Sequence, residues 1–133
     1  MFSSTVSPTE SNVAWSPSAE LLDLARQKGV GVLRELCDDF GADTSARLEA
    51  LCQALTRGNL TLARNEAHAI KGSAFQMGAL GLARWCRCME QSADAGEMDA
   101  TALWFEKAQL EFARVVHEMT TADWKKLTQR KRE

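Results

Sequence analysis

The chain has 133 residues, of which 45% are hydrophobic and 26% are charged, and its formal net charge is −2. This length suits one domain with a single core, and the nearly neutral charge disfavours nucleic-acid binding. The sequence lacks an apolar run of the roughly 20 residues that cross a membrane and lacks a secretory signal, so we expect a cytoplasmic protein that does not associate with membranes.

Residues 1–15 are rich in Ser, Thr and Pro, which predicts a flexible N-terminal arm. Trp15, at the end of this arm, is expected to pack back onto the folded domain. A short helix should follow, because Ser16 is a suitable N-cap, Pro17 fits a first helical turn and Gly29 is suited to ending the helix.

Four longer helices are predicted next, each from apolar residues that recur three and four positions apart. Their apolar stripes run over Leu33–Leu55, Ala63–Met77, Leu82–Ala93 and Phe105–Met119. Short glycine-containing turns separate the first three of these helices from the next, at Arg57–Asn59, Gly78–Ala79 and Ala95–Gly96. Asp99 is the expected N-cap of the last helix.

The sequence shows no sustained strand alternation, and its short turns favour antiparallel packing of neighbouring helices. The predicted fold is therefore all-α, an antiparallel four-helix bundle with a short additional N-terminal helix. We expect the bundle to span residues 16–120, between the arm of residues 1–15 and a basic C-terminal tail of residues 121–133. The tail is predicted to be a solvated helix end, with contact to an acidic partner as the alternative.

The most informative surface lies around His68, on the second of the long helices. At about 100° per residue, Arg64, His68, Lys71, Gly72 and Phe75 all fall roughly 80° to 180° from the centre of the apolar stripe. An outward imidazole beside a lysine is suited to passing an anionic group to a partner, and a glycine there lets that partner approach the backbone. Close packing of a neighbouring helix is the alternative explanation of Gly72.

Glu90 is the predicted companion of His68. The turn after this helix centres on Gly78–Ala79, and the two residues lie at equal sequence distances on either side of Ala79. In an antiparallel pair they should therefore sit at the same height, ~16 Å from the bend. A carboxylate there would hold one ring nitrogen and leave the other free as a nucleophile. The alternative is a surface carboxylate that pairs with Arg87 or with nothing.

The stretch from His68 to Glu90 resembles the signature of histidine-containing phosphotransfer (HPt) domains of multistep phosphorelays. That signature is a helix reading roughly H-x-L-K-G-[SA]-[SA], then a Gly-Ala turn, a Leu, a Cys and an acidic or amide residue. The chain follows it throughout, except that Ile70 stands where Leu is usual. The resemblance covers about residues 18–119 and implies a four-helix bundle with an exposed phosphoacceptor histidine.

By position, the resemblance implies that His68 is the phosphoacceptor and that Glu90 orients its ring. Lys71 would neutralise phosphate charge, and Gly72 would leave room for the partner. The partner-binding face would be partly apolar with a basic edge, formed by Arg64, Gly72, Phe75 and Arg87.

The resemblance also implies the partners. A hybrid sensor kinase would donate the phosphoryl group from an aspartate of its receiver domain, and the receiver domain of a response regulator would accept it. The chain would be a phosphoryl carrier and not an enzyme, with no cofactor or metal of its own, because the receiver would supply Mg²⁺ and most of the catalysis. We expect a monomer, and the initial methionine and polar arm favour a free-standing protein.

Other interpretations of the same residues are less well supported. A metal site that joins His117 to His68 and Glu90 would need convergent ligands, and a Cys86–His68 nucleophile pair is disfavoured because Cys86 falls on the apolar stripe. The four cysteines form no CxxC pair and are expected to be buried, reduced thiols. The alternative function is a non-catalytic helical-bundle scaffold whose histidine is not phosphorylated.

Overall fold

The computed structural model describes residues 14–131, and the side chains of residues 14–128. All regular secondary structure in that range is α-helical, and the six helices are α1 (Ala19–Lys28), α2 (Val30–Thr56), α3 (Leu60–Met77), α4 (Leu80–Asp94), α5 (Met98–Thr121) and α6 (Trp124–Lys131). The predicted all-α class is confirmed, as is the short helix before the bundle. No helix in the described range is both long and apolar enough to cross a membrane.

Helices α2 to α5 form an antiparallel bundle in which each helix packs against the next one in the chain. The predicted apolar stripes make its core, and six of their larger members are almost completely buried, namely Leu33, Leu51, Ile70, Leu82, Met89 and Val115. Helix α2 continues through Gly41 without a break, because burial of its apolar stripe outweighs a glycine penalty of about 1 kcal/mol.

Two predicted helix starts are wrong. Helix α1 is capped by Ser18 and not by Ser16, because the Ser18 hydroxyl accepts a hydrogen bond of 3.2 Å from the backbone N–H of Leu21. Helix α5 begins after Glu97 and not after Asp99, which lies in its first turn. There the carboxylate of Asp99 still complements the positive end of the helix dipole.

The bundle is uneven at one end. Helices α2 and α5 have 27 and 24 residues, whereas α3 and α4 have 18 and 15, so the long pair extends about 13 Å beyond the α3–α4 turn. Trp15 lies at this end, is 5% exposed, and makes an edge-to-face contact with Trp124 at a centroid distance of 5.1 Å. Its predicted packing onto the domain is confirmed.

The C-terminal segment differs from the solvated helix end that the sequence suggests. Its helix α6 is separate from α5 and packs against α1, and Trp124 is 4% exposed. Burial of an indole is a strong enough driving force to hold a short, strongly basic helix on the domain. Residues 1–13 of the predicted arm lie outside the described residues, and the division into arm, bundle and tail stays a prediction.

Candidate functional site

His68 lies on the outer face of α3, and its side chain is 62% exposed. The opposite face of the helix is buried in the core through Ala63, Ala67, Ile70 and Ala74. Because these residues fix the rotation of α3, the imidazole must point outwards. The predicted orientation of His68 is therefore present in the structure.

Glu90 contacts His68 from the neighbouring helix α4. Its Oε2 atom lies 2.6 Å from Nδ1 of His68, and its side chain is only 11% exposed. A carboxylate accepts hydrogen bonds, so Nδ1 carries the proton and donates it to Glu90. Nε2 is then left with its lone pair pointing to solvent, the form in which a histidine is nucleophilic. The contact predicted by counting across the turn is present, and the alternative pairing of Glu90 with Arg87 is wrong.

Lys71 binds the second oxygen of the same carboxylate, with Nζ 2.5 Å from Oε1 of Glu90. Burial alone would raise the pKa of Glu90, but the hydrogen bonds from Lys71 and His68 outweigh it and hold that pKa below its usual range. The carboxylate is therefore ionised at neutral pH, between two donors one turn apart on α3. The sequence did not predict that Lys71 would be bound to Glu90.

Gly72 faces open space, one turn beyond His68. A Cβ atom added at Gly72 would lie more than 4 Å from every atom of the other helices in the described part of the chain. Close packing of a neighbouring helix therefore does not explain this glycine. Next to it, between α3 and α4, lies a groove of about 600 Å³. We call it the α3–α4 groove, and its lining residues are Lys71, Gly72, Phe75, Gln76, Leu80, Ala83, Arg84 and Arg87.

The α3–α4 groove combines exposed apolar side chains with cations. Phe75 is 67% exposed and Leu80 is 55% exposed, which is unusual for such large apolar residues in one cleft. Lys71, Arg84 and Arg87 supply the positive charge. The surface is therefore suited to a partner that presents apolar and acidic groups together.

The predicted partner-binding residues are only partly brought together. Gly72, Phe75 and Arg87 line the groove, but Arg64 does not. Arg64 lies one turn before His68, and its Nε atom is 2.8 Å from Oδ1 of Asp94. Sequence reasoning missed Leu80 and Arg84, although a leucine that follows the turn and lies off the α4 stripe was a usable signal.

The alternative nucleophile and metal sites gain no support. Burial, followed by the nearby charge of Glu90, raises the pKa of the Cys86 thiol to about 12, so almost no thiolate exists at neutral pH. Among the described residues, no group of three His, Cys, Asp or Glu side chains could hold a metal ion. The expectation that all four cysteines are buried is wrong for Cys52, which is exposed, and for Cys88, which is half-buried.

The sequence matches a known protein family over most of its length. The family model for the Hpt domain matches residues 35–122. The chain belongs to the Hpt domain family. The resemblance of the His68–Glu90 stretch is thereby confirmed, and the chain is a histidine phosphotransfer protein, a phosphocarrier that interacts with receiver domains in phosphorelays.

Two solved structures are similar to the chain. Histidine-containing phosphotransfer protein B (HptB) from Pseudomonas aeruginosa PAO1 is 31% identical, with 86% of this chain and 95% of that chain covered and a TM-score of 0.69. A rice protein described as a histidine-containing phosphotransfer protein is 17% identical, with 94% and 89% covered and a TM-score of 0.73, and it supports the fold alone. Comparison with curated proteins gives no match.

Proposed function

We propose that Nε2 of His68 accepts a phosphoryl group from the aspartyl phosphate of one receiver domain and passes it to the aspartate of another. The observation that carries this proposal is the 2.6 Å contact between Nδ1 of the exposed His68 and the ionised Glu90. It prepares one nitrogen as a nucleophile and leaves that nitrogen accessible to a macromolecular partner.

The first transfer forms a bond between Nε2 and phosphorus while the bond between phosphorus and the donor's carboxylate oxygen breaks. The aspartate leaves as a carboxylate, and the imidazole ring, which keeps its proton on Nδ1, becomes positively charged. Glu90 stabilises that charge through its hydrogen bond. The second transfer is the reverse reaction with a different receiver, so the carrier returns to its starting form.

Lys71 supports the transferred group after exchanging its partner. In the unphosphorylated chain its ammonium group is bound to Glu90, within one helical turn of His68. A phosphoryl group on Nε2 offers strong acceptor oxygens and negative charge on the same side of the helix. We infer that the ammonium group then shifts from the Glu90 carboxylate towards those oxygens.

The α3–α4 groove is the proposed docking site for both receivers. Phosphoryl transfer requires in-line positioning and neutralisation of several oxygens, which one lysine does not provide. The acidic pocket and Mg²⁺ of the receiver supply the rest, so most of the catalysis lies in the partner. The chain itself needs no cofactor in this mechanism. A cytoplasmic monomer, a hybrid sensor kinase as donor and a response regulator as acceptor complete the proposal.

A phosphotransfer profile tests the proposed function. The full chain is incubated in turn with each phosphorylated receiver domain of the source organism, and transfer in both directions is followed. We expect rapid exchange with a small subset that includes one receiver attached to a sensor kinase and one response regulator. If no receiver exchanges a phosphoryl group with the chain, the proposal is wrong.

A matched pair of variants tests the docking site. Phe75→Ala removes an apolar side chain that is 67% exposed in the groove, and Leu110→Ala removes one that is 69% exposed on α5 outside the groove. Neither truncation should change stability strongly, because both side chains are solvated. We expect only Phe75→Ala to raise the receiver concentration needed for half-maximal transfer. Equal effects of the two variants would place docking elsewhere.

A further inference from the structure

Residues Ala14–Ser18, which we call the strap, precede α1 and lie outside the part of the chain that the family model matches. A carboxylate on α5 anchors the strap, because Glu118 accepts the backbone N–H groups of Ala14 at 3.0 Å and Trp15 at 2.7 Å. The indole of Trp15 is buried against that of Trp124. The strap is therefore tied to the bundle by polar and apolar contacts.

The strap completes the C-terminus of α3. The last four carbonyl groups of a helix have no partner within the helix. Two of these carbonyls accept hydrogen bonds within the turn, one at Ala74 from the Ala79 N–H at 2.8 Å and one at Phe75 from the Gly78 N–H at 3.2 Å. This pair of hydrogen bonds is the pattern of a Schellman motif. The remaining two carbonyls belong to Gln76 and Met77, and the strap reaches both of them.

Each of these carbonyls accepts one hydrogen bond from the strap. Trp15 donates from Nε1 to the Met77 carbonyl at 2.8 Å, and Ser18 donates from its hydroxyl to the Gln76 carbonyl at 3.0 Å. The Ser16 carbonyl oxygen also packs against Gly78, where a Cβ atom would overlap it. Gly78 thus has a positive φ of 90° and a close backbone approach, and both requirements favour glycine.

The end of α3 that the strap holds is also one end of the α3–α4 groove. Phe75 and Gln76 line the groove from the last turn of α3, and Leu80 lines it from the first turn of α4. His68 lies further along, about 14 Å from Met77 on the helix axis. A loss of order at this end would therefore displace the groove residues and leave the contact between His68 and Glu90 in place.

We propose that the strap, through Trp15 and Ser18, positions the docking end of the α3–α4 groove and thereby sets the affinity for the receiver domain. The inference rests on the proposed function, since it assigns receivers to that groove. Trp15 is a positioning residue, and its role concerns partner affinity and not the chemistry at His68.

The test uses Trp15→Phe in the full chain, which keeps an aromatic ring but removes the donor to Met77. Thr101→Val is the matched control, because Thr101 is fully buried at the opposite end of the bundle. Its hydroxyl lies 2.7 Å from Ser92 Oγ and donates to the Glu97 carbonyl at 2.8 Å.

Each variant loses buried hydrogen bonding, and the melting temperatures of the two variants show whether they are destabilised to a comparable extent. Two properties are compared, hydrogen exchange at the amides of Gly78 and Ala79, and the KM and kcat for transfer from a phosphorylated receiver.

We expect Trp15→Phe to speed exchange at both amides and to raise KM between about twofold and tenfold, the range supported by one buried hydrogen bond, with kcat unchanged. Thr101→Val should change neither property. Unchanged exchange, an unchanged KM, or an equal rise in KM for Thr101→Val would overturn the inference. Absence of transfer to the wild-type chain would instead refute the proposed function, and the exchange rates would still decide whether the strap holds the end of α3.

Discussion

Replacement of Glu90 by glutamine tests how the chain prepares its nucleophile. The amide keeps the shape of the side chain and one acceptor oxygen, but it removes the negative charge that faces both His68 and Lys71. During transfer the imidazole becomes positively charged, so the lost carboxylate weakens a hydrogen bond to a charged ring. Such bonds contribute about 1.5–3 kcal/mol.

The position of the pair selects the lower end of that range. Glu90 is largely buried, but the His68 ring is 62% exposed, and water therefore screens part of the interaction. A loss of about 1.5 kcal/mol corresponds to a roughly tenfold slower transfer step. The rate is measured in single turnovers with saturating phosphorylated receiver, so that docking does not limit it. Glu97→Gln, at the exposed start of α5, is the control.

We expect a tenfold reduction for Glu90→Gln, with near-normal helical content and a normal rate for Glu97→Gln. A rate for Glu90→Gln within twofold of the wild-type rate would show that the carboxylate is a bystander, and the account of nucleophile activation would then be wrong.

Three further results are expected. Gly72→Gln and Gly41→Gln should each raise stability by about 0.5–1 kcal/mol in thermal unfolding, since both sites are helical with open space for a side chain. Only Gly72→Gln should slow transfer, and equal transfer rates for the two variants would refute the explanation that Gly72 leaves room for the partner. Folding lowers the pKa of Glu90, so the stabilisation that its carboxylate provides should be complete above about pH 5 and lost as pH falls through the lowered pKa. The difference in unfolding free energy between wild type and Glu90→Gln should therefore shrink in acid, and a difference that grows in acid would contradict this reasoning. Alkylation of the native chain at about pH 8 should label the exposed Cys52 and spare Cys86, whose burial raises its thiol pKa to about 12, and rapid labelling of Cys86 would show that α4 opens readily.

The contact between His68 and Glu90 could be predicted because regular geometry determines it. Helices rise by a constant amount per residue, and a glycine turn reverses the chain within two residues, so equal distances from Gly78–Ala79 give equal heights. The apolar stripe of α3 determines its rotation in the same way. Both features depend on local sequence, and the pattern contains the necessary information.

The strap and the end of the bundle could not be predicted because their contacts are non-local. Glu118 binds the amides of Ala14 and Trp15 from more than 100 positions away, and a carboxylate on a solvated helix face carries no sign of that role. The choice of Ser18 over Ser16 as helix cap accompanies its hydrogen bond to Gln76, which periodicity does not indicate. The sequence predicts that Trp15 packs onto the domain, but its partner Trp124 lies in the segment predicted to be a solvated helix end.

The ion pairs on the outer face of α3 could not be predicted from the sequence either. The angle of about 100° per residue places Arg64 and Lys71 on the same outer face of α3. Each side chain, however, binds a different carboxylate of α4. Arg64 binds Asp94 near the end of α4, and Lys71 binds Glu90. These pairings depend on the distance between two helices and on rotamers, so the angle predicted the face but not its ion pairs.

His68 is the proposed carrier of the phosphoryl group, and the chain offers its own control in His117, an exposed histidine on α5. Wild type, His68→Gln and His117→Gln are incubated with the same phosphorylated receiver, and acid-labile, alkali-stable label on each chain is measured. We predict full labelling of wild type and His117→Gln and none of His68→Gln, with helical content unchanged in all three. Labelling that survives in His68→Gln would show that another residue carries the phosphoryl group.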